Sequence, residues 1–333
     1  MHLLTQLTQL TQGILLLAIG VGATGLWAVD PSQITGPNAC IDCHQAAHQA
    51  LDIMQHQANY KTLHRSDSAQ DILTNMGLAN ARREPANCAI CHYTSSQPEG
   101  RSKPRLIAGV SCESCHGAAS SWLDLHNNYG FDANGGRATA ATETREHQQQ
   151  RLAETARLGM IRPDQIYQLA QNCFQCHTVP DEQLVDKGGH TPGSDFELVS
   201  WLAGEVRHNF QQSQDKENRQ APRTYDPAQR RRLLFVMGQL LDLEYALRGQ
   251  TGATGAGTYA QAMDARSQQA KTRLQAIQQA APALAALLQP AFDGSPDQVQ
   301  QVALDFAAQH DGSQLAGLDP LIDQPAKGTP FTP

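Results

Sequence analysis

One five-residue pattern, in which two cysteines are separated by two residues and followed directly by histidine, uses every cysteine of the chain. Its four copies begin at Cys40, Cys88, Cys112 and Cys173. In such a pattern two thioether bonds attach a porphyrin, and the adjacent imidazole binds the iron. The spacing therefore predicts four covalently attached heme c groups, held by Cys40, Cys43, His44, Cys88, Cys91, His92, Cys112, Cys115, His116, Cys173, Cys176 and His177.

Zinc sites and disulfide bonds are the competing interpretations of paired cysteines. Neither needs a histidine directly after the second cysteine. The chain has 13 histidines among 333 residues, so about 4% at each position would put histidine after all four pairs with a chance on the order of one in a million. The pattern therefore favours heme.

The iron's sixth position decides what each heme can do. A second histidine gives an iron that only transfers electrons, whereas an open position lets the iron bind a small molecule. If residues 41–56 form one helix, His48 lies one turn from His44 on the same face and cannot reach the far side of that heme. On a helix His56 lies about 18 Å from His44, and His126 about 15 Å from His116, so both are expected to serve neighbouring hemes.

The motifs and their spacing resemble the tetraheme cytochrome c-554 family of electron carriers over about residues 35–215. The resemblance rests on the four motifs, the short gap between His92 and His116, the histidine twelve residues after His44, and the one ten residues after His116. It implies three distal ligands, namely His126 for the heme of His44, His56 for the heme of His177 and His208 for the heme of His116.

The same resemblance implies a five-coordinate heme at His92. The chain has spare histidines that the resemblance does not use, and His64 and His190 are the alternative candidates for this open position. His48 and His147 are interpreted as exposed helix histidines.

An uncharged apolar run over residues 13–29 precedes Asp30-Pro31. Such a run is typical of the hydrophobic region of a signal peptide, which predicts a leader over residues 1–29. Its length is close to the lower limit for a membrane span, so an uncleaved N-terminal anchor is the alternative. Because heme attachment in bacteria takes place outside the cytoplasm, we expect a periplasmic protein.

The chain is acidic, with a formal net charge of −7. Four ferric hemes with ionised propionates would add about −1 each and bring the total to about −11. This balance excludes a nucleic-acid-binding footprint and suits a basic patch on a redox partner, either the electron donor or the acceptor.

The elements that must position the hemes are predicted to be mainly α. Residues 30–220 read as short helices and loops packed around four hemes, which form the core of this domain. Residues 221–318 predict a C-terminal helical hairpin or bundle, with a helix from Asp226-Pro227 to Gly249, another from Tyr259 that Pro282 interrupts, and a third after Ser295. Residues 319–333 are expected to form a loose tail.

Several side chains have more than one interpretation. The Leu/Met face of the first C-terminal helix indicates packing, with docking to a larger, membrane-associated redox complex or homodimerisation as alternatives. Arg230, Arg231 and Arg232 are expected to pair with heme propionates or an acidic partner, or to form a solvated turn. Asp42 and Glu113, inside two motifs, are expected to face solvent.

The leading functional interpretation is a periplasmic electron carrier that passes electrons in series between a donor and an acceptor. The first alternative is a redox enzyme that acts on nitric oxide or hydroxylamine at an open heme of His92. The second is an electron-transfer subunit of a larger complex, joined through the C-terminal helices.

Overall fold

The computed structural model describes residues 29–80, 85–204, 206, 226–322 and 327, and these residues are mainly helical, as predicted. Short helices and loops make up most of residues 29–80 and 85–204. The helices of this part are α1 (Gln45–Asp52), α2 (Gln55–Thr62), α3 (Asp67–Met76), α4 (Pro85–His92), α5 (Cys112–His116), α6 (Arg145–Arg157), α7 (Ile166–His177), α8 (Glu182–Asp186) and α9 (Leu198–Gly204).

A small antiparallel hairpin joins the second and third motifs. It pairs β1 (Thr94–Ser96) with β2 (Arg105–Ala108), and its register shifts between Thr94 and Ser95. The Thr94 hydroxyl donates to the Gly109 carbonyl at 2.6 Å, and the Ser96 hydroxyl donates to the Ile34 carbonyl at 3.0 Å. The hairpin thus fixes the chain between the second and third motifs.

Two helical assumptions in the sequence analysis were wrong. The chain does not continue as one helix over residues 41–56, because α1 and α2 are separated at Ile53 and Met54. The α-helix of the third motif ends at His116, and turns lead from Gly117 to His126. Gly117 has φ of +83°, a conformation that favours glycine and ends the helix. Positions along a straight helix therefore cannot locate His56 or His126.

The C-terminal helices begin and end close to their predicted positions. They are α10 (Pro227–Gly252), α11 (Thr258–Ala280), α12 (Ala285–Asp293), α13 (Pro296–Gln309) and α14 (Asp319–Ile322). Asp226 caps α10 by accepting from two backbone amides, and Ser295 caps α13 in a capping box with Gln298. A 3₁₀ turn that starts at Pro282 separates α11 from α12. The predicted loose tail over residues 319–333 is wrong for its first residues, Asp319–Ile322, which form α14. Burial of the Ile322 side chain holds this short helix against the core.

The main hydrophobic core lies around α10. The side chains of Leu234, Met237 and Leu240 are completely buried there. This core also includes Phe174 of α7 and Leu198 of α9, together with residues of α11, α12 and α13. Each fully buried Leu or Met side chain contributes about 1.5–3 kcal/mol to stability. The Leu/Met face of α10 is thus buried within the chain itself, and the helix of the fourth motif shares its core.

The three consecutive arginines of α10 also bind the chain itself. Arg230 is buried and donates to the Pro163 carbonyl. Arg232 forms a salt bridge with Asp319 at 2.7 Å, and Arg231 approaches the Ile322 carbonyl at 3.5 Å. The predicted solvated turn or propionate pairing is therefore wrong for Arg230 and Arg232, because their guanidinium groups hold α10 against neighbouring segments.

Candidate heme-binding site

All four motifs open into one cavity of about 3470 Å³. Single small-molecule pockets have volumes of about 300–1,000 Å³, so this cavity has room for several cofactors. Its walls include every cysteine and the histidine of every motif, namely Cys40, Cys43, His44, Cys88, Cys91, His92, Cys112, Cys115, His116, Cys173, Cys176 and His177. The structure thus brings all twelve predicted attachment residues together.

Helical geometry presents each set of three side chains to the cavity. The second motif ends α4, the third forms α5, and the fourth ends α7. The two cysteines and the histidine of such a motif lie three and four residues apart, which places them on one face of a helix. The first motif differs, because its cysteines lie in a turn and His44 is the N-cap of α1.

Three motif histidines each face a second histidine across the cavity. The ring centroids of His44 and His126 are 6.3 Å apart with planes at 25°. Those of His56 and His177 are 6.1 Å apart at 86°.

The ring centroids of His92 and His190 are also 6.3 Å apart, with planes at 45°. Two metal–imidazole bonds of about 2 Å, with about 1.1 Å from each ring centre to its nitrogen, give centroids about 6.2 Å apart. Each of the three pairs therefore has the separation that an iron between two imidazoles requires. The ring that faces His92 belongs to His190, one of the two alternative ligands. The resemblance had implied an open position there.

The remaining motif histidine, His116 of the third motif, is oriented by a hydrogen bond on the side of the ring away from Nε2. Its Nδ1 lies 2.9 Å from the Ile161 carbonyl, and Nδ1–H donates to that oxygen in the tautomer that leaves Nε2 as a metal ligand. His208, which the resemblance assigns to this heme, lies outside the described residues.

The same back-side contact recurs at three other cavity histidines. Nδ1 of His177 lies 2.9 Å from the Ser194 hydroxyl, and Nδ1 of His190 lies 2.8 Å from the Thr191 carbonyl. Nδ1 of His126 contacts the Leu123 carbonyl. A hydrogen bond at Nδ1 sets the tautomer and ring orientation of a metal-binding histidine and makes Nε2 a better ligand. These bonds therefore prepare the rings to bind iron.

Burial disfavours the charged form of five of the cavity histidines. It lowers the pKa of His92 to about 4 and that of His177 to about 3, because a charged imidazolium loses its hydration there. The pKa values of His44, His116 and His126 are also lowered, mainly by burial. A neutral imidazole is the form that binds a metal.

The remaining spare histidines lie outside the cavity wall. His48 pairs with Asp52 at 3.5 Å, and His147 pairs with Glu143 at 2.7 Å. His64 lies in a 3₁₀ turn, where its Nε2 accepts from the Arg65 guanidinium at 3.3 Å. Of the two alternatives for His92, the structure brings only His190 to its ring.

The cysteines of different motifs also meet. The thiol of Cys40 lies close to that of Cys112, and the thiol of Cys91 lies close to that of Cys176. All eight cysteines are free of disulfide bonds. Within the described part of the chain, no group of three His, Cys, Asp or Glu side chains could hold a metal ion directly. This arrangement gives no support to the disulfide and zinc interpretations.

Two buried nitrogen donors line the cavity near His126. Arg162 Nε and Trp122 Nε1 have no hydrogen-bond partner among the described residues. The Trp122 ring packs edge-on against His126 at 5.5 Å, and the Arg162 charge helps to lower the His126 pKa. Buried donors normally have acceptors, and ionised heme propionates would supply them. The residues present therefore fit heme.

Glu113, inside the third motif, does not face solvent as expected. Its side chain is buried and accepts from the backbone amides of Thr35, Gly36 and Ala119 at 3.0, 2.7 and 2.8 Å. These bonds tie the segment before the first motif to α5. Asp42 is exposed, as predicted.

Arg162, Trp122 and Ser194 are site residues that the sequence analysis missed. Trp122 lies four residues before His126, a spacing that could have associated it with that ligand. Arg162 and Ser194 follow no recognisable spacing, because tertiary packing brings them to the cavity.

No helix of the described residues is long and apolar enough to cross a membrane, and the predicted leader over residues 1–29 lies almost entirely outside them. Residues 39–117 match the family model described as cytochrome c554 and c-prime. No curated protein and no solved structure matches the chain. The matched segment contains the first three motifs, whose histidines and cysteines line the cavity. Residues 39–117 of the chain are thus similar to the c-type cytochromes of the cytochrome c554 and c-prime family.

Proposed function

We propose that the chain binds four hemes and carries electrons between two redox partners. The observation that carries this proposal is the shared cavity, where four complete attachment motifs meet and three motif histidines each face a second histidine at 6.1–6.3 Å. A bound heme supplies reversible one-electron chemistry at its iron. The three facing pairs would each hold an iron from both sides, which suits electron transfer because little rearrangement would be needed.

The contacts between motifs support transfer in series. Cys40 meets Cys112, which links the first attachment site to the third. Asn172, next to Cys173, donates to the Cys115 carbonyl at 2.8 Å, which links the third site to the fourth, and Cys176 lies close to Cys91 of the second. The attachment sites thus follow one another in the spatial order first, third, fourth, second. Electrons would enter at one end of this order and leave at the other.

The placement of His190 favours a carrier over a nitric oxide or hydroxylamine enzyme. The enzyme alternative needs an open iron at His92, and the His190 ring lies where the distal ligand of that iron would be. His190 is itself oriented by the Thr191 carbonyl and by a loop in which Gly189 and Gly193 have positive φ. A preoriented imidazole at this position would compete with a small substrate.

The compartment and partners belong to the same proposal. Export to the periplasm is supported by the apolar run at residues 13–29 and by the chemistry of heme attachment outside the cytoplasm. The acidic chain would meet a basic patch on a donor or acceptor. Use of the chain as a subunit or homodimer through the Leu/Met face of α10 loses its motivation, since that face is buried in the chain's own core.

The test is the heme content and spin state of the protein produced in an expression host that attaches heme c. We expect four hemes per chain by pyridine hemochrome absorbance and by intact mass. Replacing Cys173 and Cys176 with serine should lower the count to three, and the matched Cys88→Ser, Cys91→Ser variant should do the same. Fewer than four hemes in the unaltered protein would overturn the proposal.

A further inference from the structure

The fourth motif is bound to the C-terminal helices through a continuous set of polar contacts. They begin at His177, whose Nδ1 lies 2.9 Å from the Ser194 hydroxyl. The Ser194 amide in turn donates to the His177 carbonyl at 3.1 Å. Ser194 therefore holds both the side chain and the backbone of His177. Phe196, two residues further on, stacks on the His177 ring at 4.3 Å with planes at 16°.

Arg266 of α11 holds Ser194 from the other side. Its Nη1 donates to the Ser194 carbonyl at 3.3 Å, and its Nε donates to Asp242 of α10 at 2.5 Å. The carboxylate of Asp242 is only 5% exposed. Arg273 of α11 approaches the same carboxylate at 4.0 Å. Ser194 thus connects a buried ion pair on the C-terminal helices to the histidine of the fourth motif.

The backbone around Ser194 is built for this close approach. Gly193 has φ of +86°, and a Cβ added there would lie 2.8 Å from Arg266 Nη1 and 2.9 Å from the His177 carbonyl. No other residue type fits this position without moving the arginine or the motif. The packing extends along α10, where the Tyr245 ring lies 6.3 Å from that of Phe174, inside the fourth motif.

From these contacts we infer that Ser194, Arg266 and Asp242 are positioning residues that set the reduction potential of the heme at His177. The inference rests on the proposed heme at this motif. It gives the C-terminal helices, which lie outside the segment that matches the family model, a direct role in electron transfer. These helices would orient the His177 ligand of one of the four hemes and shift the reduction potential of that heme.

The Ser194 hydrogen bond and the Arg266 charge shift the reduction potential in opposite directions. A hydrogen bond from Nδ1–H to the Ser194 hydroxyl makes the imidazole a stronger donor, which favours ferric iron and lowers the potential. The Arg266 charge favours ferrous iron and raises the potential, and Asp242 offsets that charge.

The experiment is a redox titration of the four-heme protein, followed by electron paramagnetic resonance. A His56→Met variant first identifies the signal of the heme at His177 by changing its distal ligand. We expect Ser194→Ala to raise the potential of that heme alone, and Ser194→Thr, which keeps a hydroxyl, to restore it. Arg266→Gln should lower the same potential, and Asp242→Asn should raise it.

Arg232→Gln is the matched control, because it breaks an Arg–Asp pair at the other end of α10 without touching a motif. It should leave all four potentials unchanged. An unchanged potential in both Ser194→Ala and Arg266→Gln, or an equal shift of all four hemes, would overturn the inference. A heme count below four, or a His56→Met variant with no altered signal, would instead contradict the proposed function.

Discussion

The imidazole planes of His56 and His177 lie at 86° to each other, with ring centroids 6.1 Å apart. Those of His44 and His126 lie at only 25°. An axial imidazole interacts with the iron d orbital perpendicular to its own plane. Perpendicular rings therefore affect two such orbitals equally and keep them close in energy, whereas nearly parallel rings separate them.

This difference predicts two kinds of low-spin signal in electron paramagnetic resonance. The heme of His177 should give a broad signal with a single large g value, and the heme of His44 a rhombic signal with three resolved g values. His56→Met should remove the first signal, and His126→Met the second. Identical line shapes for both hemes would contradict the ring geometry.

His126→Ala tests the assignment of a distal ligand to a neighbouring motif. We expect the heme of His44 to become high-spin, while the heme of His116 stays covalently attached and keeps its spin state. The reason is that His126 faces the His44 ring, although it follows the third motif in sequence. Absorbance and electron paramagnetic resonance would measure the change.

His147→Ala is the control for His126→Ala, because His147 pairs with Glu143 and does not line the cavity. Its spectra should match those of the unaltered protein. A high-spin heme in the control, or none in His126→Ala, would argue against the assignment.

His190→Ala tests the coordination of the heme at His92. With the facing imidazole removed, this heme should become high-spin and bind added nitric oxide or cyanide, which the unaltered protein should not do at that site. His64→Ala, the competing candidate, should leave the spectra unchanged. If the unaltered protein already contains a high-spin heme that His190→Ala does not affect, His190 is not the ligand.

The Glu143 carboxyl is expected to make one contribution to the pH dependence of stability. Hydrogen bonding to Arg151 lowers the pKa of this carboxyl below its ordinary value of 4.5, and Arg151 also donates to the His126 carbonyl at 2.7 Å. A lowered pKa means that the ionised group stabilises the fold above the unfolded value, and that this contribution is lost as pH falls through the folded value.

Thermal unfolding at a series of pH values from 7 to about 3 would measure this contribution. The difference in melting temperature between the unaltered protein and Glu143→Gln should be largest near neutral pH and shrink in acid. A difference that grows as pH falls would contradict the role of the ionised carboxylate.

Truncating a buried side chain in the core around α10 should lower the free energy of unfolding without changing the hemes. Leu274 of α11 is completely buried, so Leu274→Ala should cost about 2–5 kcal/mol in the free energy of unfolding. The absorbance of the folded variant should be unchanged, because Leu274 does not line the heme cavity. Gln275→Ala, at the exposed neighbouring position, should change stability by no more than about 0.5 kcal/mol.

The parts of the structure that were predictable from sequence depend on local chemistry. The attachment motifs fix their own geometry within five residues, and Asp226 and Ser295 cap the helices that follow them. The meeting of His44 with His126 is not local, and only the family resemblance suggested it. The meeting of His92 with His190 was one of two alternatives, since spacing alone does not show where the 188–193 loop folds.

The burial of two charged residues, Glu113 and Arg230, was also not predicted from the sequence. Glu113 and Arg230 belong to types that are usually exposed. Their burial depends on partners distant in sequence, which are the backbone amides of Thr35 and Gly36 for Glu113 and the Pro163 carbonyl for Arg230. No pattern around either residue marks those partners.

The three facing histidine pairs also interleave along the chain. The segment from His44 to His126 contains His56 and His92, whose counterparts His177 and His190 lie beyond its end. With iron between the rings, each pair is a cross-link that closes a loop of roughly 80 to 120 residues, and closing such loops restricts the unfolded chain much as a disulfide does. The pair of His44 and His126 can close once residue 126 has been made, whereas the other two pairs stay open until His177 and His190 follow. The set of cross-links would therefore be complete only once the segment from His177 to His190 has been made, and each cross-link would limit the separation of two segments that are distant in the sequence.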